Sequence, residues 1–291
     1  MSTEIPAKLV NELRKRTSEA MMDCKKALIE TKGDIEAAIE FLRKKGQAKA
    51  AKKADRVTAE GMIKVALHGN LAAMIDVNCE TDFVARDENF KQFVDLAIET
   101  AINEHCHDVS ELTAVVSLED ARKALVTKIG ENITLRRLYM VHAHEGEVLG
   151  AYAHGGRIGV LVVLKGNVDQ DFAKGIAMHI AASNPQVVNP SDVSAEFLAK
   201  EKEIFLAQAQ GQGKPAEIVE KMVQGRIAKL LEEISLLGQP YVRDPNTKVG
   251  DVLKQAKAEV LSFVRFELGE GIEKKVDNFA EEVMAQVQGA S

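Results

Sequence analysis

The chain has 291 residues, 46% apolar and 28% charged, with a formal net charge of −6. That length fits two domains or one subdivided domain, and the composition excludes disordered and fibrous classes. No apolar run reaches the roughly 18–20 residues needed to cross a membrane. Cys24, Cys79 and Cys106 are too few and too scattered for a disulfide frame or a CxxC metal site.

Residues 1–56 carry a net charge of +5, which leaves −11 for the remainder. Within them, residues 5–45 read as three short helices. Pro6 suits a first turn, and Leu9, Val10 and Leu13 then form one apolar face. Met21, Met22, Ala27 and Leu28 mark a second helix, stopped by Lys32-Gly33. Asp34 is a natural cap for a third, which carries Ile35, Ala38, Ile39 and Leu42 and closes at Gly46. Residues 47–56 read as an Ala/Lys linker, with helix as the alternative. The basic run Arg43-Lys44-Lys45, Lys49, Lys52-Lys53 and Arg56 lacks interleaved aromatics, so it reads as a solvated helix end and not as a nucleic-acid face. A bundle this small buries little surface, so 1–56 is expected to be a docking module.

The next stretch contains an internal repeat. Met62–Asn78 and Val148–Leu164 run in parallel at an offset of 86, each with a β-rich run on either side of His-Gly: His68-Gly69 and His154-Gly155. The helical patterns that follow match at an offset of 82: Phe90 with Phe172, Val94 with Ile176, Ile98 with Ile180. The first copy therefore carries four extra residues, at Thr81-Asp82-Phe83-Val84. Inserted loops disproportionately carry function, and an apolar ring beside a carboxylate is the sort of group offered to a partner. The alternative is a ring folded back over its own strand. Residues 57–140 form the first α+β unit: a hairpin over 60–78, helices near 89–104 and 118–129, and a strand over 133–139. Residues 141–265 form the second, with 260–267 as its last strand.

A helical excursion near 190–236 interrupts that second unit. Val193, Phe197, Ile204 and Phe205 lie on roughly one side of its first helix; Gly211–Pro215 breaks it; Ile218, Met222, Ile227, Leu230, Leu231 and Ile234 line the return. An antiparallel hairpin, long enough to project as an arm, is expected. Phe205 is either a self-association residue or packs across the hairpin against Ile218 and Met222. After Gly269-Glu270-Gly271, residues 266–291 end in an amphipathic helix carrying Val276, Phe279, Ala280, Val283 and Val287.

Catalytic chemistry does not emerge from the chain. GxxxxGK[ST], GxSxG, HExxH and HRD strings do not occur. His105-Cys106-His107 and His142-Ala143-His144 have no second ligand pair, so they read as exposed histidines and not zinc ligands. Asp76 and Asp82 make no credible acid–base pair, and the cysteines read as buried apolar groups. No enzyme activity, cofactor or metal is expected. With no export leader, the expected compartment is the cytoplasm.

Five strings in order carry a resemblance over the whole chain: Leu13-Arg14 to Thr17 with Met21–Leu28; Val77–Ala85; His154–Leu161; Met178–Ala182; and Phe263–Glu267 with Gly269–Gly271. Together they resemble the bacterial elongation factor Ts family. One departure is Ser18-Glu19-Ala20, where the family has Gly-Ala and a small residue. The resemblance implies an α+β protein: an N-terminal three-helix module like a ubiquitin-associated domain, two repeated core subdomains with small antiparallel sheets, an inserted helical hairpin able to mediate a homodimer, and a C-terminal helical module. It implies guanine nucleotide exchange on elongation factor Tu, GDP-bound or nucleotide-free. Thr81, Asp82, Phe83 and Val84 would disturb the partner's Mg²⁺ site, and Met21, Met22, His154 and Gly155 would make secondary contacts. No membrane or direct nucleic-acid partner is implied. The rival readings are an RNA-binding factor and an adaptor for a ubiquitin-like partner.

Overall fold

The computed structural model describes residues 5–17, 19–210 and 215–273. The expected terminal helix from Val276 to Val287, the break at 211–214, and Ser18 lie outside the described residues. The first three helices are α1 (Ala7–Thr17), α2 (Met21–Glu30) and α3 (Ile35–Ala51). They share a small core of Val10, Leu13, Cys24, Ala27, Leu28, Ala38 and Leu42. Asp34 caps α3 by accepting from the Ala37 amide at 3.0 Å. Lys32 and Gly33 both take positive φ between α2 and α3, which suits glycine and strains lysine.

Helix α3 does not end at Gly46. It continues five residues further, because its second half packs on the core. A Cβ at Gly46 would meet Thr127 Oγ1 at 3.2 Å, and Ala50 is buried in the first core cluster. Half of the expected linker, residues 47–51, is thus helix. The module also meets the core through an Arg43–Asp120 ion pair of 2.8 Å and a Lys53 Nζ bond to the Gly130 carbonyl.

The first core unit comprises β1 (Glu60–His68), β2 (Leu71–Cys79), α4 (Asp82–Arg86), α5 (Glu88–Asn103), α6 (Val109–Ala114), α7 (Val116–Ile129) and β3 (Ile133–His142). The second comprises β4 (Glu147–His154), β5 (Ile158–Lys165), α8 (Gln170–Ser183), the helices α9 (Ala195–Gln210) and α10 (Ala216–Ile234), the short pair β6 (Pro240–Tyr241) and β7 (Asp244–Lys248), α11 (Val249–Gln255) and β8 (Glu259–Glu267). Both large sheets are antiparallel and share one topology, β1-β2-β3 and β4-β5-β8. The small β6–β7 pair and α11 have no counterpart in the sequence reading.

Register refines the repeat. Each sheet carries a bulge on its third strand: Arg136 is the extra residue opposite Asp76/Val77, and Leu261 opposite Val163/Leu164. Those two bulges are related by an offset of 87, not 86, because three residues turn β4 into β5 where two turn β1 into β2. The helix caps Asp87 and Asp169 keep the offset of 82. Measured from the bulges to the helix caps, the first copy therefore holds five extra residues, one within the second strand and four between that strand and its helix.

The two sheets pack face to face. On β2, Ala73, Ile75, Val77 and Cys79 face α5 and α7, while Ala72 and Met74 face the other sheet. On β5, Val160, Val162 and Leu164 face α8, while Leu161 and Val163 meet the first sheet. All nine residues of β2 are buried, as a strand covered on both faces requires. The contact is close: a Cβ on Gly159 would lie 2.5 Å from Ile63 Cγ2 and 2.7 Å from Met74 Sδ. Strand β8 ends at Glu267, where the last strand is expected to end, and Leu268 is buried between the sheets. Among the described residues, no helix is long and apolar enough to cross a membrane.

Candidate functional site

Eight residues separate β2 from α5, against four between β5 and α8. The excess folds as the single turn α4. Thr81 begins it in extended conformation, and its Oγ1 accepts from the Val84 amide at 3.4 Å, a side-chain N-cap. Val84 turns inward, 8% exposed, into the first core. Asp82 pairs with Arg86 at 2.8 Å along the turn. Phe83 has nowhere inward to go, since Thr81 and Val84 take the inner side, and it is 80% exposed. A ring folded back over β2 is excluded.

A group invisible to sequence reasoning supports the turn. Glu131, just after α7, accepts from the Glu80 and Thr81 amides at 3.1 and 3.0 Å and from Thr81 Oγ1 at 2.7 Å. Its only signal in the sequence is a Gly130-Glu131-Asn132 string, which reads as an ordinary helix end. Gly130 is indeed a left-handed C-cap. Cys79 Sγ donates to the Thr81 carbonyl at 3.2 Å. Burial, reinforced by the Glu131 charge, pushes the Cys79 thiol up to about 12, so it remains protonated and unreactive at neutral pH.

His154 ends β4 and Gly155 opens the β4–β5 turn, and both are exposed. The turn is pinned to β1: the Ile63 amide donates to the Gly156 carbonyl at 2.7 Å, and Arg157 pairs with Glu60 at 3.2 Å. Glu60 is in turn the register partner of Cys79. His154–Gly155 and the Phe83 turn thus leave the same end of the double-sheet core. Met21 and Met22 sit elsewhere, on the outer face of α2, 50% and 62% exposed. Cys24, Ala27 and Leu28, on the other face of α2, fill the module core.

The remaining candidates behave as packing groups. His105, His107, His142 and His144 are exposed, Cys106 is buried, and among the described residues no group of three His, Cys, Asp or Glu could hold a metal. Asp76 is fully buried against Arg137 at 2.9 Å and does not meet Asp82. Burial raises its carboxyl above the usual range, although Arg137 and Arg136 oppose this. Phe205 lies on the α9–α10 seam beside Ala209, Val219 and Val223, with the Arg226 guanidinium 5.8 Å from its ring. Two grooves of about 300 and 330 Å³ separate the module from α5 and α7. Neither is lined by residues 81–84.

The family model described as "Elongation factor TS" matches residues 80–270. The Elongation factor Ts of Thioalkalivibrio sulfidiphilus is 56% identical, covering 98% of this chain and 99% of its own. That of Legionella pneumophila strain Lens is 57% identical over 99% and 100%, and that of Pseudoalteromonas atlantica is 54% identical over 98% and 99%. These matches define the class: a translation elongation factor that acts in protein biosynthesis. Within that class, the chain belongs to the elongation factor Ts family.

Proposed function

We propose that the protein is a guanine nucleotide exchange factor, which binds elongation factor Tu·GDP and promotes GDP release and GTP loading by displacing Mg²⁺ from its partner. The observation that carries this is Phe83, 80% exposed on an inserted turn whose flanking residues are fixed. The turn works as a wedge: Phe83 and Asp82 reach the partner, while Thr81 and Val84 hold the turn in shape. Met21, Met22, His154 and Gly155 add contacts on two further exposed surfaces.

The driving force is linkage. A factor that binds nucleotide-free Tu more tightly than Tu·GDP must weaken GDP by the same factor. Moving Mg²⁺ removes the main charge that neutralises the β-phosphate. Nothing in this mechanism asks for covalent chemistry or a cofactor on this chain, so we class it as a non-enzymatic factor acting in the cytoplasm. The α9–α10 pair would carry self-association. The test is the release of fluorescently labelled GDP from Tu by stopped flow. Acceleration by the wild-type chain, largely lost in Phe83→Ala, is expected; equal rates with and without the chain would sink the reading.

A further inference from the structure

We propose that Glu131 is a positioning residue for the Phe83 turn, and that with Asn132 it locks this turn to the chain arriving from the N-terminal module; the exchange role of that positioning rests on the function proposed above. A helix of one turn does not stand by itself, because nucleation fixes several dihedrals for very few bonds. Helix α4 has five residues, so its geometry must be imposed from outside.

Glu131 does so with both carboxylate oxygens. One receives the Glu80 and Thr81 amides, at 3.1 and 3.0 Å, and the other receives the Thr81 hydroxyl at 2.7 Å. A hydroxyl whose proton is committed to a carboxylate presents its lone pairs elsewhere, here to the Val84 amide at 3.4 Å. The carboxylate therefore fixes the cap, the cap fixes the turn, and the turn sets the direction of Phe83. A wedge held in its bound shape loses less entropy on docking.

The junction has a second side. Glu80 Oε1 accepts from the Asn132 amide at 2.6 Å and pairs with Arg56 at 3.4 Å. Asn132 Nδ2 donates to the Ala54 and Arg56 carbonyls at 3.1 and 3.0 Å. The end of the module and the start of the turn thus share one knot of hydrogen bonds. Phe83 and the module surface are thereby held in one frame.

The experiment uses the full-length chain with Glu131→Gln, which keeps the volume but removes the charge and turns one acceptor oxygen into a donor. Either the two amides or the Thr81 hydroxyl proton then lose their acceptor. Labelled-GDP release from Tu at saturating factor should slow about tenfold, the loss of a charge-assisted bond. Thr81→Val should copy it and Thr81→Ser should not. In a Phe83→Ala background, Glu131→Gln should add no further loss, as expected for residues that act through one another. A wild-type rate in Glu131→Gln, or the same tenfold loss on top of Phe83→Ala, overturns the proposal. Amide hydrogen exchange at Glu80, Thr81 and Val84 in the free chain reads the brace without Tu. Faster exchange in Glu131→Gln supports it and unchanged exchange overturns it, whereas a wild-type chain that releases no GDP sinks the exchange reading instead.

Discussion

Phe83 leaves in water a ring whose burial would be worth about 1.5–3 kcal/mol, while its neighbour Val84 takes the inward position. The two residues should therefore respond in opposite ways to truncation. Phe83→Ala should shift unfolding free energy by no more than about 0.5 kcal/mol yet strongly reduce GDP release. Val84→Ala should cost about 1–2 kcal/mol of stability, read by urea denaturation. A large stability loss in Phe83→Ala would mean that the ring packs at home. The position of Phe83 was legible because a repeat makes its own insertions visible. Glu131 was not, since its partners Glu80 and Thr81 lie fifty residues earlier and only the folded β2–β3 pairing brings them together.

Helix α3 shows how packing overrides a local signal. Glycine in a helix interior costs about 1 kcal/mol, and Gly46 reads as a stop, yet Thr127 leaves little room there for a side chain and Ala50 gains a buried place. The module is consequently part of the core's cover. Deleting residues 1–56 should lower thermal stability as well as affinity for Tu, whereas the double variant Met21→Ala, Met22→Ala should lower affinity alone. Equal stability of the deletion and the full chain would show that α3 contributes no cover. The arm is rooted by a similar device. His179, fully buried on α8, meets Gln239 at 2.9 Å through Nε2 and accepts from the Val242 amide at 3.2 Å through Nδ1. Gln239 passes the link to the Glu233 carbonyl at the end of α10 at 2.6 Å. Burial lowers the His179 pKa, opposed by the Gln239 bond. The unfolded imidazole titrates near about 6.5, so below that pH the unfolded chain binds a proton that the folded chain refuses, and stability falls as pH falls. His179→Gln should flatten that dependence between pH 7.5 and 5.5, and an unchanged slope would remove His179 from the account. Since Phe205 is committed to the seam, self-association would fall to exposed residues such as Ile204 and Ile218. Replacing 195–230 by a short Gly/Ser link should then reduce mass in solution while sparing GDP release; a loss of release at unchanged mass would make the arm a Tu contact.

At the scale of the whole molecule, two copies of one unit share a single inter-sheet core. The order of elements in both copies was legible, because β-rich runs and helical periods recur in the same sequence. The way they pack was not, because the central strands β2 and β5 read as largely apolar on both faces and nothing local says which face meets helices. That packing makes Ile63, Met74, Leu149, Leu161 and Val163 belong to both units, so neither can open without exposing the other. Amides in β2 and β5 should accordingly exchange through the same global unfolding event. Gly159 is where this can be tested most directly. Its Cα lies where the sheets approach most closely to a glycine, and an added methyl has Ile63 and Met74 inside contact distance. Met74 can give a little, being unbranched and flexible, but Ile63 is stiff at its branched carbon and 1% exposed. Gly159→Ala should therefore cost about 1–3 kcal/mol by overpacking, and Gly159→Val more. The loss should appear as one shifted transition, with exchange in β2 and β5 accelerated together. If Gly159→Ala accelerated exchange in β5 alone, the two sheets would be neighbours without a common core. GDP release should fall only as far as the folded fraction does, since the Phe83 turn and its Glu131 brace lie wholly on the first unit.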